Sequence, residues 1–505
     1  MTKFEVVFVS TPTIGNMVPT VEFANFLTKH HPQLSATILK ISASKQPLVN
    51  TYLQSRPSSA TNLRFIHLPT VDPPTPDQYK SFIAYISLLI QKHKNNIKGA
   101  LLNLTSTKSI SESVKLIALF VDMFSTTIID VANEINVPFY LFFASPASFL
   151  GFTLHFPRIE SVEMETEFKI PSFKNLLPKH VLPNMVLNWK SEEDAYSWVS
   201  YHGGRYKETK GIVVNTLQEL EPYALQSLYD DLQLPPIYSI GPILDLVGPV
   251  QWDPNPVQYN YIMDWLDLQP LGSDSNLRCH PLRIVNSENG YVRIVNTKNA
   301  NLRIGFFLSV FQPLHDLGSL EVKQVEQIAL GLEQSGVRFL WALREPPKAQ
   351  LEGPREYTSH ENVLPNGFLK RTVGKGIVCG WVPQAKVLAH KAVGGFVSHC
   401  GWNSILESLW HGVPIATWPV YAEQQMNAFQ MAKELELAVE IRLDYRVGGN
   451  LVQAEEVENG VSTLMNHSEE IRKKVKKLSE KCRVALMENG SSYTNLVSLV
   501  QELTK

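Results

Sequence analysis

The chain lacks the features that would take it out of ordinary globular chemistry. Its 4 cysteines, Cys279, Cys379, Cys400 and Cys482, are scattered and show no CxxC spacing. That excludes a disulfide framework or a thiolate metal site as the organising element, and reduced thiols in a cytoplasmic protein are expected. Excess charge of either sign is also missing. The 46 Lys and Arg against 48 Asp and Glu leave a formal charge of −2, so no nucleic-acid partner is expected. No apolar run is long enough to span a bilayer, so no integral membrane segment is expected. The start, Met1-Thr-Lys-Phe-Glu5, enters the brief run Val6 to Val9 at once, which argues against a secretory signal.

What is present fits two globular domains. A chain of 505 residues with 44% hydrophobic and 19% charged content is too long for one core. Short apolar runs alternate with helix-period segments. Strands are expected at Phe4–Ser10, Leu34–Lys40, Leu63–Leu68, Leu116–Asp122, Pro138–Phe143 and Gly211–Asn215. Helices are expected at Pro19–Lys29, within Pro74–Leu102, and at Thr126–Ile135 and Gln218–Leu232. Thr11 to Met17 reads as a loop. This alternation predicts an α/β fold with a doubly wound, mostly parallel sheet. Prolines 157, 171, 178 and 183 weaken the pattern between Phe156 and Tyr201, where loops and short helices are expected. Further strands are expected at Arg338–Leu343 and Lys375–Cys379. Helices are expected at Tyr259–Leu268, Gly318–Ser335, Asn427–Leu435, Ala454–Leu464, Glu469–Leu486 and Ser492–Leu503.

The most informative stretch runs from Trp381 to Gln424. It reads Trp381-Val382-Pro-Gln384, then Gly394-Gly-Phe-Val-Ser-His399-Cys-Gly401-Trp402-Asn403-Ser404, then Glu407, then Trp418-Pro-Val-Tyr421-Ala-Glu423-Gln424. Gly394 to Ser398 has the character of a buried parallel strand. Asn403 and Ser404 are N-cap residue types for a following helix. A helix N-terminus at the carboxyl end of a strand presents free N–H groups and a positive dipole end, suited to a diphosphate.

With those residues at those spacings, this stretch resembles the nucleotide-sugar signature of plant family-1 glycosyltransferases, which use UDP-sugars. The resemblance covers most of the chain, excepting roughly 272–317. It implies two facing Rossmann-like domains, the GT-B arrangement. Residues 1–242 would bind the acceptor, 243–258 would be a linker, and 259–486 would bind the UDP-sugar. Residues 487–505 would return towards the first domain. Trp381 would stack on uracil, and Val382 and Gln384 would bond the base and ribose. His399, Asn403 and Ser404 would hold the diphosphate with the Gly401 and Trp402 backbone. Glu407 would accept from the ribose, and Tyr421, Glu423 and Gln424 would meet the sugar. The implied reaction is inverting transfer from UDP-glucose, a co-substrate, to a small plant metabolite. No further cofactor and no metal are expected.

Two places depart from the family pattern. The family's loop after the first strand carries a histidine that deprotonates the acceptor, oriented by an aspartate. Asp122 matches the aspartate, but Asn16 stands at the histidine position in Gly15-Asn16-Met17-Val18-Pro19. An asparagine takes up no proton at neutral pH. Losing a general base typically costs on the order of 10²–10⁴ in rate. The second departure is the opening of the C-terminal domain. Arg283-Ile-Val-Asn-Ser-Glu-Asn-Gly290 recurs ten residues later as Arg293-Ile-Val-Asn-Thr-Lys-Asn-Ala300. A hairpin around Asn289-Gly290, in a surface insertion, is expected. The family's phosphate-approaching serine has Ser309 or Ser319 as candidates.

Overall fold

A computed structural model describes the chain except residues 1–2, 42–46, 57–61, 107–113, 159–164, 189, 191–192, 247–255, 270–303, 309–319, 346–354 and 447. The repeat, its expected hairpin, Ser309 and Ser319 lie outside the described residues.

The strands are β1 (Lys3–Val9), β2 (Leu34–Lys40), β3 (Leu63–His67), β4 (Val114–Asp122), β5 (Phe139–Phe143), β6 (Glu167–Phe168), β7 (Leu177–Pro178), β8 (Ile212–Val214) and β9 (Ile237–Ser239). Then follow β10 (Ile304–Leu308), β11 (Arg338–Ala342), β12 (Gly376–Cys379), β13 (Val393–Ser398), β14 (Ile415–Thr417) and β15 (Ala438–Glu440). Seven form one sheet in the order β3-β2-β1-β4-β5-β8-β9, and six form a second in the order β12-β11-β10-β13-β14-β15. Every pairing within these two sheets is parallel, while β6 and β7 make a small antiparallel ribbon. Helices cover both faces, which is why β5, read Phe-Tyr-Leu-Phe-Phe, is buried at every position. The strand β10, just after the repeat, sits centrally between β11 and β13.

Each sheet reverses its winding once. In the first, the chain order turns between β1 and β4; in the second, between β10 and β13. The crevice outside the carboxyl ends of such a strand pair is the usual ligand position in an open α/β sheet. Asn16 and Asp122 follow β1 and end β4. His399 to Ser404 follow β13. The two crevices face each other. One apolar cluster runs across from Phe143, Ala147 and Phe152 to Phe396, Trp402 and Met426.

Two local expectations are corrected. The helix expected from Pro19 starts at Ile14 and runs to His30, so Asn16 lies in its first turn and not in a loop. The stretch expected to be helical within Pro74–Leu102 is two helices, Phe82–Lys92 and Lys94–Ser106.

The last helix, Ser491–Leu503, lies on the first sheet. Leu496, Leu499, Val500 and Leu503 join the cluster of Phe8, Phe23, Phe120 and Phe142. Ser492 Oγ donates to Gly241 O at 2.5 Å, and Asn495 Nδ2 donates to Ser239 O at 3.1 Å. Leu499 is fully buried, so Leu499→Ala should cost about 2–5 kcal/mol in urea unfolding. Ser498→Ala, on the exposed face of the same helix, should stay within about 0.5 kcal/mol. Equal effects would show that the helix does not dock.

Candidate active site

The second crevice is built by a sharp corner. After β13, Cys400 adopts a left-handed φ of 63°. Its amide donates to Ser398 Oγ at 3.1 Å, and its carbonyl accepts from Asn427 Nδ2 at 3.0 Å. The helix Trp402–His411 then begins with Gly401 at its N-cap and no side-chain cap. Asn403 and Ser404, read from sequence as cap types, instead lie inside the first turn. The leading N–H groups therefore have no side-chain cap from the N-cap residue. Gly401 is required sterically, because a Cβ there would overlap His399 Nε2.

The polar groups at this corner include buried atoms that have no partner in the protein. Burial pushes the His399 imidazolium down to about 4, so the ring is neutral at pH 7. Its Nδ1 is buried and without a protein partner, as is Asn403 Oδ1. Ser404 Oγ accepts from Gln384 Nε2 at 2.9 Å, which leaves its hydroxyl proton to donate. Gln384 Nε2 also donates to Glu407 Oε2 at 2.5 Å. Gln384 thus orients the carboxylate and hydroxyl beside it.

Trp381 is half-buried, with its backbone N–H donating to Glu356 Oε1 at 3.0 Å, and Val382 is buried beside it. Trp402 is a structural tie as well as part of the helix start. Its Nε1 donates to Asn215 O in the first sheet at 2.7 Å. At the end of β14, Gln424 Oε1 accepts from Val420 N at 2.9 Å and Tyr421 N at 3.1 Å, leaving its Nε2 for other partners. Glu423 accepts from Ser145 Oγ of the first sheet at 3.5 Å, and burial raises its carboxyl.

In the first crevice, Asp122 is wholly buried. Ser10 Oγ and Thr11 Oγ1 donate to it at 3.1 Å, Ser125 Oγ at 2.6 Å and Phe124 N at 3.1 Å, with a further short bond from Thr11 N. Burial raises its carboxyl, opposed by those bonds. Asn16 is not among its donors. Asn16 Nδ2 donates to Thr13 Oγ1 at 3.0 Å, and the Asn16 backbone carbonyl accepts from Thr20 Oγ1 at 2.8 Å.

The crevices are joined by a bond that follows from Pro19. Pro19 lies inside the Ile14–His30 helix and has no N–H for the carbonyl four residues back. That carbonyl belongs to Gly15, and Asn403 Nδ2 donates to it at 3.1 Å. The turn carrying Asn16 is thereby tied to the corner at Cys400. Sequence reasoning missed this contact, and missed Ser145, Asn215 and Gln384's hold on Glu407. Small polar residues closing an apolar strand, as in Phe143-Ala-Ser145, were the available signal.

Two parallel sheets whose crevices face across a cleft, one of them holding an uncapped helix start, define a two-domain transferase architecture for a nucleotide-linked substrate. Residues 316–483 match the family described as UDP-glucoronosyl and UDP-glucosyl transferase. UDP-glycosyltransferase 43 of Pueraria montana var. lobata is 61% identical over the whole of both chains. UDP-glycosyltransferase 71K1 of Malus domestica is 39% identical over 100% of this chain and 99% of its own. Among solved structures, Medicago truncatula UGT71G1 complexed with UDP-glucose superposes with a TM-score of 0.83 at 35% identity, covering 100% of this chain and 99% of that one. The chain belongs to the plant family-1 UDP-glycosyltransferases, enzymes of the GT-B fold.

Among the described residues, no helix is long and apolar enough to cross a membrane, and no group of three His, Cys, Asp or Glu could hold a metal ion.

Glu407 gives a pH test of the corner. Burial, and the nearby Asp245 charge, push its carboxyl up to about 7 against the Gln384 bond. A raised value favours the protonated fold. The stability it contributes is therefore present below pH 4.5 and lost as pH rises through about 7. Urea unfolding of the ligand-free protein should show the parent losing stability relative to Glu407→Gln over that window. A constant difference would contradict the assignment.

Proposed function

We propose that this UDP-glycosyltransferase uses UDP-glucose and inverts the anomeric centre, giving a β-glucoside on a small hydroxylated or acidic acceptor. The observation that carries the reading is the corner after β13: an uncapped helix start beside His399, whose buried Nδ1 has no protein partner. A diphosphate would satisfy both at once. Trp381 would cover uracil, Glu407 would take the ribose hydroxyls, and Glu423 with Gln424 Nε2 would meet the sugar. The acceptor would lie against the first sheet, near the helix Ala147–His155 and the segment to Tyr201. A cytoplasmic location fits the buried, unpaired cysteines 379, 400 and 482.

The acceptor oxygen attacks the anomeric carbon, the bond to the UDP oxygen breaks, and the acceptor's proton must leave. Asn16 cannot take it. Asp122 already accepts from five groups and has no bond to Asn16, so it offers little free lone-pair capacity. Acceptors that are already ionised avoid this requirement. An acidic phenol such as 4-nitrophenol should therefore outrun cyclohexanol by about 10²-fold or more in UDP release. Asn16→His should narrow that gap by speeding the alcohol. Equal turnover of both acceptors by the parent would overturn this account of the proton.

A second reading, UDP-sugar binding without efficient transfer, is favoured by the same enclosed Asp122. It requires heat on titration with UDP-glucose and no glucoside from any phenol. Absence of heat with UDP at millimolar concentration would overturn both readings.

A further inference from the structure

A second polar junction spans the cleft away from the corner at Cys400. The helix Ala147–His155 begins just after β5 and has no cap from its own N-cap residue, Pro146. Its first two N–H groups are taken instead by a distant carboxylate. Ala147 N donates to Glu221 Oε2 at 2.8 Å, and Ser148 N donates to Glu221 Oε1 at 3.0 Å. The second domain completes the arrangement with one side chain, Gln430. Its Nε2 donates to Glu221 Oε1 at 2.8 Å, and its Oε1 accepts from Ser148 Oγ at 3.0 Å. Ser148, Glu221 and Gln430 are each at most 3% exposed. Each end of the Gln430 amide is thus matched to a group of opposite hydrogen-bonding sense.

Gln430 stands at an unusual place in its own element. The helix Gln424–Phe429 starts at the sugar-facing pair Glu423 and Gln424, and at Gln430 it widens into a π-helical turn running to Glu434. Such turns are rare and concentrate at functional sites. The end of that turn makes further contacts with the first domain. Asn175 N donates to Glu434 Oε1 at 2.8 Å. Ser172, three residues earlier, donates through Oγ to Ser148 O at 2.7 Å. One short element therefore links Glu423 and Gln424 at its start to the Ala147–His155 helix and the 172–175 segment at its end.

We propose that Gln430 is a positioning residue: by holding Glu221 and Ser148 together it fixes the acceptor-side helix Ala147–His155 in register with the sugar-facing start of the Gln424–Phe429 helix. The proposal rests on the reading that the acceptor lies against that helix. Gln430 touches neither substrate. It holds the acceptor-side helix where the acceptor binds, so its loss should weaken acceptor binding and leave UDP binding in place.

The test uses the full chain, with UDP calorimetry, 4-nitrophenol kinetics and amide exchange at Ala147 and Ser148. Gln430→Glu places a second carboxylate against Glu221 in a buried site. It should raise the 4-nitrophenol KM about tenfold or more and speed exchange at both amides. UDP affinity should change by less than about threefold. A UDP affinity that falls in step with KM, or parent-like KM and exchange in a folded Gln430→Glu, overturns the proposal. Should Gln430→Glu fail to fold, Gln430→Met removes both bonds without adding charge and should show the same split. Parent-like KM and exchange in a folded Gln430→Met overturns the proposal equally. If the parent transfers nothing to 4-nitrophenol, the function proposed above falls, and amide exchange alone decides the role of Gln430.

Discussion

The corner at Cys400 and Gly401 is the constraint on which the rest of the molecule depends. Strand β13 ends, the chain takes one left-handed residue, and a helix begins within three positions. A non-glycine residue in that conformation costs roughly 1–2 kcal/mol, and a glycine in place of a side-chain N-cap costs about a few tenths more. Bonds from Ser398 and Asn427 hold the turn in place, so the cost is met by packing around it. What the corner leaves open is a set of N–H groups and a neutral buried histidine. The histidine's Nδ1 has no partner in the protein, and the helix start has no side-chain cap.

Bonds across the cleft keep that spot opposite the first sheet. Pro19 frees the Gly15 carbonyl and Asn403 takes it. Trp402 reaches the backbone of Asn215, and Arg446 donates to Asn184 Oδ1 at 2.6 Å and to His180 O at 2.8 Å. These contacts place the two crevices face to face. One proton of the Asn403 amide is committed to Gly15, while its buried Oδ1 has no partner in the protein.

The chemistry at the end of β4 is set by what Asp122 already holds. Five donors converge on it, all from residues 10–11 and 124–125. It works as the knot that ties the ends of β1 and β4 together. Asn16 stands one layer further out, turned towards Thr13. Asn16 offers no basic side chain, and Asp122 is already engaged by those five donors.

Much of the fold was legible in the sequence because parallel strands buried on both faces read as unbroken apolar runs, as in β5 and β13. The corner after β13 was legible because its residues sit close together along the chain at fixed spacings. Asn16 was misplaced in a loop because Pro19 suggested a helix start, whereas a helix tolerates a proline once another group satisfies the freed carbonyl. Asn403 and Ser404 were read as caps by residue type, yet Gly401 holds that position because His399 leaves no room for a side chain. Gln430, Glu221 and Ser148 carried no local signal at all. Their pairing spans more than two hundred positions, and nothing in a helix of ordinary composition announces which distant carboxylate it will meet.

The closing helix, Ser491–Leu503, has a consequence for how the molecule is made. Its four apolar residues cover a face of the sheet built from the opening segments. The opening segments are made first, so that face lacks its cover until Ser491–Leu503 has been synthesised. Contacts between segments so far apart in the chain slow folding and leave apolar surface exposed meanwhile.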